Sequence, residues 1–333
     1  MRIFLAGATG AVGRRLVPLL IQAGYEVVGT TRDPQRLKTL EEAGARGVVL
    51  DALDRATVRA AVTDAKPDVV INELTALSGP ASLRRFDQYF AQTNRLRTQG
   101  TDNLIEAALA AGVRRLVAQS YTGWPNERSG EPVKTEQDPL DPQPTAASRR
   151  SLAAIEHLEA AVTRTAGLHG VVLRYGSLYG PGTSLGAGGE LLEMVRRGKL
   201  PIVGAGTGIW SHVHVDDAAQ ATLLAVERGA PGVYNIVDDE PAPVSEWLPE
   251  LAAAVGAKPP RHVPTWLARP LLGEHGISLM TQIRGSSNAK AKRELGWRLR
   301  FPSWREGFRA GLTDGLTPRG GGDDEHSLAR DQT

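Results

Sequence analysis

Met1-Arg2-Ile3-Phe4-Leu5-Ala6-Gly7-Ala8-Thr9-Gly10-Ala11-Val12-Gly13 opens the chain, and Leu16, Val17, Leu19, Leu20 and Ile21 follow at helical spacing. Ile3, Phe4 and Leu5 read as a buried strand. A strand that turns through glycines into a helix aims backbone N–H groups, and the positive end of the helix dipole, where a phosphate can sit. Small residues at Gly7, Gly10 and Gly13 let a pyrophosphate approach the backbone. The segment therefore reads as the head of a βαβ unit that binds a dinucleotide. Gly7, Thr9, Gly10, Ala11, Val12 and Gly13 are the residues expected around the pyrophosphate. The glycine spacing is not the Gly-x-Gly-x-x-Gly of ordinary dehydrogenases.

Outward from that turn, short apolar runs alternate with helical patterns. Strands are expected at Ile3–Leu5, Glu26–Thr30, Gly47–Leu50, Val69–Ile71, Leu116–Gln119 and Gly170–Arg174. Helices are expected at about Val12–Ala23, Pro34–Ala43, Ala56–Ala65, Tyr89–Ala111 and Ala146–Ala166. This rhythm predicts an α/β fold, a Rossmann-type doubly wound parallel sheet with right-handed crossovers. After Gly176 the rhythm breaks into glycine-rich loops, a helix at Glu190–Arg197, a short strand at Ile202–Val203 and a returning strand at Tyr234–Ile236. The expected organisation is a dinucleotide-binding domain over residues 1–175, with 211–237 returning to it. A small irregular substrate lobe spans 176–210 and 238–312, and a disordered tail 313–333.

The chain has 333 residues, 41% hydrophobic and 23% charged, enough for one large domain or two joined ones. A formal net charge of +2 gives no reason to expect a nucleic-acid partner. The absence of cysteine excludes disulfides, thiolate catalysis and Cys-ligated metals, and suits a reducing compartment. The first apolar strand is too short for a secretory signal, and no run of about 18 apolar residues exists. A cytoplasmic protein with no membrane partner is expected.

The second strand ends in Thr30-Thr31-Arg32-Asp33. An NAD site would place a carboxylate there for both ribose hydroxyls, whereas a guanidinium suits a 2′-phosphate. Arg32 therefore favours NADP over NAD, with Arg14 or Arg15 able to add charge. On the bland reading, Arg32 is a surface residue and Asp33 caps the helix opened by Pro34; both can hold.

Further motifs follow in order. Asp51 lies after the third strand, then come Leu74-Thr75-Ala76, Asn94, and Gly100-Thr101. Arg174-Tyr175-Gly176 leads into Tyr179-Gly180-Pro181-Gly182, and Val213-His214-Val215-Asp216-Asp217-Ala218 precedes Tyr234-Asn235-Ile236. In these residues the chain resembles, over about residues 1–312, the extended short-chain dehydrogenase/reductases of the NAD(P)-dependent epimerase/dehydratase type. The resemblance implies Asp51 at the adenine, Leu74 and Thr75 on the nicotinamide side, and Asn94 and Tyr175 among the cofactor-binding residues. It also implies a homodimer through the helices at 89–111 and 146–166.

Catalysis in that family rests on a Ser or Thr after strand five and a Tyr-x-x-x-Lys on the next helix. A phenol with a nearby cation can exchange a proton near neutrality. Here Ser120 is in place, but counting onward puts Thr145 and Arg149 in the Tyr and Lys positions. A threonine hydroxyl cannot serve as the acid, and Arg149 can hold a ribose but not relay a proton. Three readings stay open: another acid, foremost Tyr121, with Tyr175 and Tyr179 after strand six also near the expected site; a substrate that needs only hydride and positioning, with Ser120 and Thr145 as hydrogen-bond donors; or non-redox work. The favoured reading is an NADP(H)-dependent oxidoreductase acting on a small-molecule carbonyl or alcohol. The alternatives are a sugar-nucleotide-type epimerase or dehydratase, a cyclase or isomerase, and a dinucleotide-binding regulator.

His212 and His214 with Asp216 and Asp217 read as a structural segment, the aspartates capping a helix from Ala218, and no metal is expected. Ser120 does not stand in a Gly-x-Ser-x-Gly elbow, which disfavours a hydrolase. Trp124, Trp210 and Trp266 fall near loops, where they serve either packing or flat contact with an apolar substrate.

Overall fold

The computed structural model describes residues 1–77 and 82–313. Seven strands form its central sheet: β1 (Arg2–Ala6), β2 (Glu26–Thr31), β3 (Arg46–Val49), β4 (Val69–Asn72), β5 (Arg115–Tyr121), β6 (His169–Tyr175) and β7 (Gly232–Ile236). All neighbours run parallel in the order β7-β6-β5-β4-β1-β2-β3. The strands are apolar on both faces because helices cover both. On one face Ile3, Leu5 and Ile71 pack with Leu16 and Leu20 of α1 (Ala11–Gln22). On the other, Phe4, Val70 and Leu116 pack with residues of α2 (Arg55–Ala65), α3 (Thr101–Ala110) and α4 (Arg149–Arg164). Strand order reverses between β1 and β4, and the crevice at their carboxyl ends holds the glycine turn.

The expected strands and their order along the chain agree with this sheet, but three helix starts differ. The predicted helix over 89–111 is broken into Phe86–Tyr89, Ala91–Arg95, a π-helical turn Leu96–Gly100 and α3. The predicted helix from Ala146 begins only at Arg149. There the Asp87 carboxylate accepts the N–H groups of Arg150 and Ser151 at 2.9 and 2.8 Å, a cap supplied by another element. The helix after the His-x-His segment, α5 (Val215–Arg228), starts three residues early. His214, not an aspartate, caps it by accepting the Asp216 N–H, while buried Asp217 turns inward to accept the N–H groups of Arg300 and Phe301.

A separate core unites Tyr179, Leu192, Trp247, Leu251, Trp304 and Phe308 in the irregular lobe. It includes α6 (Val244–Ala254) and α7 (Thr265–Thr281), the latter kinked at Gly273. Residues 289–297 behave otherwise than the lobe assignment: Ala291, Leu295 and Trp297 pack into the core beneath the sheet. Among the described residues no helix is long and apolar enough to cross a membrane. The predicted tail, beyond Thr313, lies outside the described residues.

Candidate functional site

Gly7 has φ +91°, and a Cβ there would stand 2.5 Å from the Glu73 carbonyl oxygen; one on Gly13 would stand 2.3 Å from the Gly7 carbonyl oxygen. These two glycines allow β1, β4 and α1 to meet. Gly10 is exposed at the start of α1, donates its N–H to Gly7 O at 3.0 Å, and has no side chain to cap the helix. The amides of Ala11, Val12 and Gly13 have no acceptor within the helix. The cradle fits a pyrophosphate, with Thr9 at its edge donating to Thr31 Oγ1 at 3.3 Å.

Thr30 and Thr31 are buried at the tip of β2, and Thr30 Oγ1 accepts the Gly7 N–H at 3.2 Å. Asp33 accepts the Gln35 N–H at 3.0 Å and pairs with Arg36 at 3.5 Å. That leaves exposed Arg32 as the charged group at the tip with no partner among the described residues. Arg15 is paired with Asp216 at 3.3 Å, whereas Arg14 is exposed and lies over Gly182. Asp51 is exposed, one carboxylate oxygen accepting the Leu53 N–H at 3.0 Å. Leu74 is half-buried beside the glycine turn, and Thr75 is exposed.

The residues expected to do chemistry are placed less simply. Ser120 donates its proton to Glu159 Oε1 at 2.8 Å, and Arg174 clamps the same carboxylate through Nε at 2.7 Å and Nη2 at 2.6 Å. Thr145 is buried, its hydroxyl 2.9 Å from Ser148 Oγ and 3.2 Å from His275 Nδ1. It precedes α4 while Arg149 begins it, exposed, so the two do not share one helical turn as Tyr-x-x-x-Lys would. Tyr121 ends β5 against Trp124 and carries no hydrogen bond from its phenol among the described residues. Burial pushes that phenol up to about 12, against the pull of the Arg97 charge.

Two residues expected among the cofactor contacts make hydrogen bonds within the protein, though Asn94 Oδ1 is buried without a partner among the described residues. Asn94 Nδ2 donates to Ser151 Oγ at 3.0 Å and ties two helices together. Tyr175, 1% exposed, is closed in between Glu73 Oε1 at 2.7 Å and Thr222 Oγ1 at 2.6 Å, which leaves its hydroxyl no face for a dinucleotide. Thr222 also donates to Ala218 O at 2.8 Å. Its single proton is thereby used, so Tyr175 must donate to Thr222. The remaining contact is satisfied when Glu73 keeps its own proton. Burial raises the Glu73 carboxyl to about 8, in agreement.

Sequence reasoning missed Glu73, Arg97, Glu159 and His275. The available signal was charge inside otherwise apolar periods, as with Glu159 among Ile155, Leu158 and Val162. Around Tyr121, residues of both lobes form one aromatic-apolar cluster: Phe86, Trp124, Leu152 and Ile155 from one side, Leu279 and Ile283 from the other. The His275 ring lies 4.2 Å from that of Phe86 and 5.4 Å from that of Trp124. Burial lowers its pKa to about 4, so it is neutral at pH 7. Trp124 and half-buried Trp210 belong to this cluster, whereas Trp266 is exposed.

A sequence model described as the NAD dependent epimerase/dehydratase family matches residues 3–237. The chain is 46% identical, over 92% of its length and 99% of the relative's, to a 3-diazoavenalumate denitrifying reductase of a Streptomyces species. It is 32% identical, over 77% of its length and 76% of the relative's, to a 2-alkyl-3-oxoalkanoate reductase of Stenotrophomonas maltophilia. Among solved structures it is similar to the UDP-glucose 4-epimerase of Thermus thermophilus in complex with NAD, with TM-score 0.70 and 26% identity over 94% of this chain and 98% of that one.

Proposed function

The chain belongs to the NAD dependent epimerase/dehydratase family, and on that premise we propose that it is an NADP(H)-dependent reductase of an aryl carboxylate bearing a diazo group. One observation carries this reading: the site offers positioning in place of the usual acid. The Thr145 hydroxyl is shut in by Ser148 and His275, and the Ser120 proton goes to Glu159. A bound dihydronicotinamide supplies a hydride. At a diazonium carbon the new C–H bond uses the hydride pair, the C–N pair leaves with N2, and no proton is consumed. The relative named for a diazo substrate and a denitrifying reduction supports the substrate class. This chain's residues hold the pyrophosphate on the glycine turn, meet the adenosine phosphate with Arg32, and exclude water with the aromatic cluster.

The assay is consumption of NADPH deuterated at C4 with 4-carboxybenzenediazonium, above the enzyme-free rate. The expected result is one N2 per NADPH and deuterium on the ring carbon. Turnover of 3-oxo acids alone would overturn it. That second outcome is favoured by one observation, the unbonded Tyr121 phenol, which can donate to a carbonyl oxygen. The relative named for 3-oxoalkanoate reduction supports it. Tyr121→Phe separates the two: diazonium reduction persists within about threefold, whereas carbonyl reduction falls by about 10²-fold or more. Both relatives' names describe carboxylate substrates.

A further inference from the structure

Arg97 lies in the π-helical turn Leu96–Gly100, a distortion that in helices often marks a working position. Its side chain is 9% exposed and makes no hydrogen bond or ion pair among the described residues, and its Nη1 is buried without an acceptor. The guanidinium carbon stands 5.9 Å from the Phe90 ring centre. Arg174, the other buried arginine among the described residues, is fully compensated by Glu159. Glu159 acts on Arg97 only through space, and one carboxylate cannot neutralise two guanidinium groups, so Arg97 is an excess positive charge. Leaving a buried ion unpaired costs about several kcal/mol. Burial lowers its pKa only to about 10, so it stays charged at neutral pH.

We propose that Arg97 is the anchor for the substrate carboxylate, with the Phe90 ring and aromatic cluster against the apolar body of the same molecule. The proposal rests on the reductase reading for its substrate and deepens it. A guanidinium fork accepts a carboxylate in two parallel bonds, and its value is highest where water is excluded.

The test needs no turnover, so its failure is distinct from failure of the reductase assay. The full chain is titrated with cinnamate and with the isosteric neutral cinnamamide, following Trp124 and Trp210 fluorescence. Wild type is expected to bind cinnamate at least tenfold more tightly than cinnamamide. Arg97→Met should erase the preference, and Arg97→Lys should keep part of it. Because an uncompensated charge is removed, Arg97→Met should melt at or above the wild-type temperature. A structural arginine would instead give a lower melting temperature. Equal binding of both probes, no binding of either at millimolar concentration, or retained preference in Arg97→Met would overturn the proposal. So would loss of NADPH affinity in Arg97→Met with cinnamate unaffected, since Arg97 would then serve the cofactor. Arg97→Gln repeats the comparison should the Met variant fold poorly.

Discussion

Arg32 and Glu73 show how differently two ionisable residues can stand around one crevice. Arg32 is exposed beyond β2, where its neighbour Asp33 is already spent as a cap. Arg32→Ala should weaken NADPH by roughly tenfold to a hundredfold, the worth of a charge-assisted contact, and leave NADH almost unchanged. Equal losses by fluorescence titration would remove the NADP assignment. Glu73 stands inside, pushed toward the neutral acid by burial. Its folded pKa of about 8 lies above its unfolded value, so between about pH 4.5 and 8 the folded state holds a proton that the unfolded chain has released. Its contribution to stability therefore falls as pH rises through that window. Glu73→Gln, which can donate to Tyr175 at every pH, should raise the melting temperature by several degrees at pH 8 and little at pH 5. A shift of equal size at both pH values would show that Glu73 does not titrate in this range.

At the scale of elements, α4 depends on a residue 62 positions before its first turn. Asp87 accepts the Arg150 and Ser151 N–H groups and the Ser151 hydroxyl, the last at 2.6 Å. Asp87→Ala should cost about 1–2 kcal/mol in urea unfolding, as for loss of a strong helix cap. It should also loosen the turn that carries Thr145. Unchanged stability would mean that α4 starts itself. Local sequence could not reveal this cap, because the helical pattern continues back to Ala146 and only tertiary contact decides where it is terminated. The π-helical turn was hidden for the same reason. An extra residue in a helix preserves its apolar character while rotating the side chains within and after it, so nothing in the local pattern marks Arg97 as buried.

For the whole molecule, we propose a homodimer through the segments at 89–111 and 146–166. Light scattering should give about twice the chain mass of 35.6 kDa, and arginine at exposed Ala153 should yield a folded monomer. A monomeric wild type would end this proposal. Much of the architecture was legible in one dimension. Strand and helix periodicity, together with glycines that alone fit the β1–α1 turn, specify the parallel sheet and the dinucleotide cradle, because both depend on backbone geometry that neighbouring residues impose. The chemistry was less legible. Counting along the chain puts Thr145 and Arg149 where Tyr-x-x-x-Lys is expected, yet nothing in that stretch shows His275 closing over the threonine from 130 residues away. The pairing of Ser120 with Glu159 and Arg174, and the lack of any pair for Arg97, likewise arise where two helices and two strand ends converge. Burial and charge compensation are properties of such junctions, and residues distant in the chain create them only when it folds.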